Sequence, residues 1–199
     1  MKDNPFYTIA FMLIVSAVFA LMLSLTNEIY LPRIEANELL EDRRAVLYVF
    51  ELDTEGEAEE VLDRFESHVE EQTIADIQLY VHLEGDEVLA YAVPFTGSGL
   101  WGTMNGYLGI SPDITQVTGL IFTEHNETPG LGGRIDELDY LEQFRGIDIR
   151  EETTLAYGSD GGDQLDAITG ATGTSNAVLN ILNDLLDETI SELEVALNG

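Results

Sequence analysis

Asp166 to Thr174 reads Asp-Ala-Ile-Thr-Gly-Ala-Thr-Gly-Thr, a run of small residues with three hydroxyls placed directly before an amphipathic C-terminal segment. Downstream of it Val178, Ile181, Leu182, Leu185, Leu186, Ile190, Leu193 and Leu197 recur at three- and four-residue steps. That spacing predicts a helix beginning around Ser175, with Thr174 at or near its first turn. A helix start offers N–H groups that lack intrahelical acceptors, together with the positive end of the dipole, and both favour a phosphate or a phosphoryl ester. Read alone, the same pattern also describes an ordinary loop closed by a threonine N-cap. Two further segments are richer still in glycine. Glu124 to Gly133 reads Glu-His-Asn-Glu-Thr-Pro-Gly-Leu-Gly-Gly, and Gly97 to Tyr107 reads Gly-Ser-Gly-Leu-Trp-Gly-Thr-Met-Asn-Gly-Tyr. Glycines in that density suit either tight turns or a backbone that approaches a flat ligand closely.

Taken in order, the three segments resemble the FMN-binding domain found in the C subunit of sodium-translocating NADH:quinone reductase and in the G subunit of the Rnf ferredoxin:NAD oxidoreductase. The Asp166–Thr174 run is similar to that family's flavinylation sequence, and Glu127-Thr-Pro-Gly-Leu-Gly132 looks like its other signature. Leu100-Trp101 matches the Gly-Leu-Trp segment of the reductase protein, with Gly102 where that pattern has serine. The resemblance implies that Thr174 carries FMN through a phosphoester bond. Asp166 matches the leading acid, Thr169 stands where serine or threonine is usual, and Gly170, Ala171 and Gly173 would keep the loop accessible. Thr172 and Ser175 could hydrogen-bond the phosphodiester, although Ser175 reads equally well as a helix cap. For the isoalloxazine, Leu100, Trp101 and Met104 are candidates for one wall of an apolar slot, and Glu127, Thr128, Gly130, Leu131 and Gly132 for the other. Trp101 also fits a simple core position.

A threonine hydroxyl is a poor nucleophile unassisted, and nothing in the chain forms a Ser-His-Asp set, so attachment requires an outside enzyme. The resemblance implies a flavin transferase that takes FAD and moves its FMN half onto the threonine. No residue is assigned a catalytic role, and His125 reads as a solvated or hydrogen-bonded side chain. The Ser159-Asp-Gly-Gly-Asp163 loop with Asp166 could ligate calcium, but it lacks the EF-hand spacing and no metal site is expected. The expected function is that of a membrane-anchored flavoprotein subunit that relays electrons among the other subunits of a membrane redox complex. The alternative is a stand-alone membrane-anchored FMN-binding or scaffold protein.

Composition agrees with such a role and excludes others. Phe6 to Leu25 is apolar apart from Thr8, Ser16 and Ser24, and its length matches the ~20 residues that cross a hydrocarbon core. Val18-Phe19-Ala20 could serve as a signal cleavage site, but the run continues past it and exceeds the roughly 7 to 15 residues of a signal peptide's apolar h-region. The expectation is therefore an uncleaved single-pass anchor over 1–26, a linker or helix over 27–44 and an FMN-binding domain over 45–199. Flanking charges mildly favour an inside N-terminus, which puts the domain on the outer face of the cell membrane. The 199 residues carry 38 acids against 8 basic residues, a net charge of −30, with Lys2 the single lysine. That balance argues against nucleic acid and against broad contact with anionic headgroups. With no cysteine, disulfides, thiolate metal sites and cysteine nucleophiles are excluded.

The dispersed acids suit a chain that works in high salt. Carboxylate repulsion acts over a Debye length of roughly 30 Å at 0.01 M salt but only about 3 Å at 1 M. The melting temperature of the domain from Asn27 onward is expected to rise markedly between dilute buffer and molar KCl, and a salt-independent melt would overturn this reading of the charge.

The elements that must position the motifs follow from local pattern. Ala45 to Leu52 predicts a strand, and Glu57 to Glu71, with Val61, Leu62, Phe65 and Val69 on one side, predicts a surface helix. Ile77–Leu83 and Val88–Pro94 form one expected hairpin, Met104–Ile110 and Val117–Thr123 another, and Leu138–Phe144 a short helix. Pro32 limits where a helix over Asn27–Arg44 can begin. The fold class expected is α+β, a mostly antiparallel sheet covered by helices, with an N-terminal transmembrane helix.

Overall fold

The structure, a computed structural model, describes residues 5–150, 154–158 and 165–198. The acidic loop considered above for calcium, residues 159–163, lies outside them. Two compact units divide the chain, Met1–Leu40 and Glu41–Gly199.

The first unit belongs to helix α1, Pro5–Val49, whose apolar window has a mean hydropathy of 2.5 and is long enough to cross a membrane. Helix α1 runs through Pro32, at the cost of one main-chain hydrogen bond. It also takes in Ala45–Val49, so the strand expected at Ala45–Leu52 does not form. A helix already nucleated upstream gains one hydrogen bond per added residue. Here the added residues also find burial, since Ala45, Val46, Leu47 and Val49 are buried as helix. The helix stops where Glu51 turns left-handed at φ 58° and the Leu52 N–H closes back on the Leu47 carbonyl at 2.9 Å, a Schellman closure made without glycine.

In the second unit, helix α2 (Ala58–His68) precedes five strands, β1 (Val69–Ile74), β2 (Ile77–Glu84), β3 (Glu87–Ser98), β4 (Thr103–Ile110) and β5 (Val117–Glu124). They form one antiparallel meander in the order β1-β2-β3-β4-β5. Strand β1 begins inside the segment expected to be helical to Glu71. Its residues pair with β2 from Val69↔His82 to Ile74↔Ile77, and that ladder outweighs the helical preference of its two glutamates. On one side of the sheet the Phe65 ring meets Tyr80 edge-on and Tyr80 meets Tyr107, while the Tyr107 hydroxyl donates to Asp42 at 2.7 Å. Against the other side pack the main core residues, with Leu108, Leu120, Val93 and Val81 facing Val178, Leu182 and Leu193 of the C-terminal helices. Between these layers run a 3-10 turn at Gly132–Asp136, helix α3 (Leu138–Leu141), and a 3-10 turn at Glu142–Phe144. Helix α4 (Thr172–Asp184), a π-helical stretch at Leu185–Ile190 and helix α5 (Ser191–Asn198) complete the unit.

His82 is buried under the Phe50 ring, with centroids 5.2 Å apart, and lies 6.3 Å from the His68 ring. Burial first, and then the nearby His68, hold its pKa below the ordinary imidazole value, against a smaller opposing effect of Glu84. The unfolded chain therefore binds a proton that the folded one resists, and stability falls as pH drops through about 6.5 until the folded pKa is passed. Thermal melts between pH 7.5 and 5 should show the wild type losing stability relative to His82→Phe. Parallel curves for the two proteins would remove His82 as the cause.

Candidate functional site

Three loops meet at one end of the sheet. The first is the four-residue turn between β3 and β4, Gly99-Leu100-Trp101-Gly102, closed by the Gly99 N–H donating to the Gly102 carbonyl at 2.7 Å. A second loop follows β5, where Pro129 and Gly130 (φ 73°) form the centre of a turn closed by the Leu131 N–H on the Thr128 carbonyl at 3.1 Å. In the third, Gly170 at φ 84° sits inside the Ile168–Ala171 turn, and helix α4 starts at Thr172, three residues before the expected Ser175. Thr174 thus lies in the first turn, where main-chain N–H groups have no intrahelical acceptor.

At the junction, the Thr174 hydroxyl donates to Glu127 Oε2 at 2.6 Å. The other carboxylate oxygen, Oε1, accepts the N–H groups of Leu100 at 2.8 Å and Trp101 at 3.1 Å. One side chain therefore ties all three loops together. Both partners are buried, Thr174 at 1% and Glu127 at 5% exposure, and a buried carboxylate needs such donors to offset its lost hydration. The Glu127 N–H donates to His125 Nδ1 at 3.1 Å, which leaves the proton on Nε2 to donate to Asp136 Oδ2 at 2.7 Å. His125 is hydrogen-bonded, as expected.

Around this buried pair the site is open and apolar. Leu100, Trp101 and Leu131 are 54%, 67% and 48% exposed, so the core alternative for Trp101 is excluded. Met104 is fully buried instead and underlies the turn, since a Cβ on Gly99 would come within 2.7 Å of Met104 Cε. Thr128 contributes its carbonyl, which accepts the N–H groups of Leu131 and Gly133. Gly132 is packed so closely that a Cβ would lie 2.4 Å from Thr174 Oγ1.

The other motif residues divide between surface and scaffold. Thr169, Thr172 and Asp166 are exposed, and Asp166 is held through its main chain by both ends of the Gln143 amide. Ser175 is buried, its hydroxyl oxygen accepting the Ile168 N–H at 3.0 Å. Its carbonyl accepts from the Tyr157 hydroxyl at 3.0 Å, and that hydroxyl receives the Tyr140 proton across 2.7 Å. Burial raises both phenol pKa values, that of Tyr140 well above the ordinary range, so the chain of hydroxyls stays protonated and pins the start of α4. Gln143, Tyr140 and Tyr157 were not singled out from the sequence. No local pattern marks them, because each acts on a residue far from it along the chain.

The set offers an alcohol at a helix start, a carboxylate bound to it, and an apolar rim at the surface. A helix start suits an anionic group, and the exposed Leu100, Trp101 and Leu131 suit a flat apolar body. Residues 99–187, which span all three loops and α4, match the FMN-binding domain. Among curated relatives, the C subunit of the Na(+)-translocating NADH-quinone reductase of Pasteurella multocida is 35% identical over 104 residues, covering 49% of this chain and 40% of that one. Its Vibrio anguillarum counterpart is 32% identical over 108 residues, 50% of this chain and 42% of the relative. The matched region thus spans less than half the length of these relatives. Two solved structures share the fold. NqrC of Shewanella oneidensis superposes with a TM-score of 0.66 at 20% identity, over 80% of this chain and 98% of the other. The C subunit of the Na(+)-translocating reductase from Parabacteroides distasonis gives 0.67 at 21% identity, over 80% and 94%. The α+β class and the helix-covered antiparallel sheet are as the sequence led us to expect.

Proposed function

We propose that the chain is a membrane-anchored flavoprotein subunit that carries FMN covalently on Thr174 and relays electrons within a redox complex of the NADH:quinone reductase or Rnf type. The observation that supports this reading is the convergence of the three motif loops at the first turn of α4, within the residues that match the FMN-binding domain. Bound FMN would supply the electron chemistry, and the polypeptide its position and surroundings. Thr174 is the anchor, the α4 start and its N–H groups favour the phosphate, and Leu100, Trp101 and Leu131 shield one part of the ring from water. Asp166, Thr169, Gly170 and Thr172 form the exposed edge of the loop that a flavin transferase would have to recognise while FAD donates its FMN half, and the buried Ala171 holds that loop on the core. Residues 1–26 would anchor the domain of 45–199 at the outer face of the cell membrane, where the other subunits of the complex would exchange electrons with it.

Co-expression of the full chain with a flavin transferase tests the reading. The expected product stays yellow and fluorescent through denaturing electrophoresis. Colour that is lost on denaturation would replace covalent attachment by ordinary binding, and a colourless protein would favour the scaffold alternative.

A further inference from the structure

Glu127 is a carboxylate buried to 5% exposure and approached by three donors. Oε1 accepts the N–H groups of Leu100 at 2.8 Å and Trp101 at 3.1 Å, and Oε2 accepts the Thr174 hydroxyl at 2.6 Å. That arrangement suits a carboxylate that keeps its charge. Among the described residues no basic side chain forms an ion pair with it. Arg134, in the same loop, pairs with Glu137, while His125 accepts the Glu127 N–H on Nδ1 and donates from Nε2 to Asp136. The charge is therefore offset by main-chain and hydroxyl dipoles alone, and water and salt screen it little. It also lies one hydrogen bond behind the apolar rim, because the N–H groups it binds belong to the exposed Leu100 and Trp101. On the other wall a Cβ on Gly132, next to Leu131, would lie 2.7 Å from Oε2.

We propose that Glu127 sets the electron affinity of the flavin held at this site, by fixing an uncompensated negative charge behind the apolar rim. This role rests on the reading that FMN occupies the site, whichever hydroxyl of the loop before α4 holds it. Reduction adds two electrons and a proton to the flavin and leaves an anion. A fixed carboxylate opposes that added charge, so the oxidised form is favoured over the reduced one. A unit charge acting over about 10 Å through an effective dielectric of about 20 changes such an equilibrium on the order of tenfold. The exposed acids of this chain act less, because water and salt screen them. The consequence is a carrier that gives up its electrons more readily than the same flavin would without Glu127.

The test is a redox titration of the full-length chain loaded with FMN, with dithionite as the reductant and an indicator dye of known potential. Glu127→Gln is the informative change, because its amide oxygen can still accept from Leu100 and Trp101 while its NH2 group can donate to Thr174 Oγ1. At the wild-type midpoint potential, the ratio of reduced to oxidised flavin in Glu127→Gln is expected to rise about tenfold. The rise should persist in molar KCl, where surface charges are screened. Glu127→Asp keeps the charge on a shorter side chain, so it should lower the melting temperature and keep the wild-type midpoint. A role in packing alone would move the melts without separating the two midpoints. A wild-type midpoint in folded Glu127→Gln, or equal displacement in the Asp and Gln variants, would overturn the proposal while leaving FMN at the site. Should Glu127→Gln not fold, Glu127→Asp decides by itself: a wild-type midpoint with a lowered melt supports the role of the charge, and a tenfold change in the ratio overturns it. A wild-type chain that holds no flavin would overturn both readings.

Discussion

Thr174→Ala is expected to lose all covalently held flavin while remaining folded. On the proposed assignment the loss is complete, because the ester would form on Thr174 Oγ1. Thr172 and Thr169 of the same motif are exposed, so Thr172→Ala and Thr169→Ala are the comparisons that decide between the three hydroxyls. The cost to the fold is small by comparison. Alanine leaves Glu127 Oε2 without its donor, which is a buried acceptor unsatisfied at about 1–3 kcal/mol, while Oε1 keeps both of its N–H partners. Thr174→Ser should still label, since its hydroxyl can occupy the same position. In-gel fluorescence after denaturation reads both variants. A fluorescent Thr174→Ala band would move the attachment point elsewhere in the loop and refute the assignment.

Gly132→Ala should lower covalent flavin by about 10-fold or more, corresponding to at least about 1.4 kcal/mol. The added methyl would lie 2.4 Å from Thr174 Oγ1 and 2.7 Å from Glu127 Oε2, well inside contact distance. Both obstacles are buried and hydrogen-bonded to each other, so the methyl must separate the pair or push one loop outward, at about 1–3 kcal/mol of overpacking. Gly130→Ala is the control. Nothing lies within 4 Å of a Cβ there, but the residue sits at φ 73°, so alanine costs about 1–2 kcal/mol of backbone strain without touching the hydroxyl. Comparing labelling with melting temperature separates the two effects. Equal labelling of Gly132→Ala and wild type would show that the site yields where the structure packs it tightly.

The way the loops close bears on how attachment is reached. Leu100 and Leu131 lie against the glycine loop, where a Cβ on Gly173 would be 3.2 Å from Leu100 Cδ2 and one on Gly170 would be 3.7 Å from Leu131 Cδ2. With Thr174 at 1% exposure, attachment at its oxygen would require the loops around it to open. Loops joined by a few hydrogen bonds can open at much lower cost than the sheet beneath them.

Much of this protein is legible in its sequence for a local reason. The turn between β2 and β3, the turn around Ser111-Pro-Asp, the apolar run from Phe6 and the three- and four-residue steps from Val178 onward are all set by neighbours within one or two turns of chain. The three motifs are legible in the same sense, as strings of small residues whose backbone freedom does not depend on distant contacts. Ala45–Leu52 and Val69–Ile74 were not, since each has an apolar or mixed pattern that suits both helix and strand. The first followed the helix already running into it, and the second followed the open edge of β2. Trp101 was undecided between core and rim, and only the β3–β4 turn geometry put it outside. The Glu127–Thr174 bond and the Tyr140–Tyr157–Ser175 chain are beyond any local pattern. Sequence alone determined which residues could do chemistry, because side-chain type is written in it. Which of them touch was decided by the sheet that brings the loops after β3, after β5 and before α4 to one end, because a hydrogen bond depends on distances of about 3 Å that only tertiary packing sets.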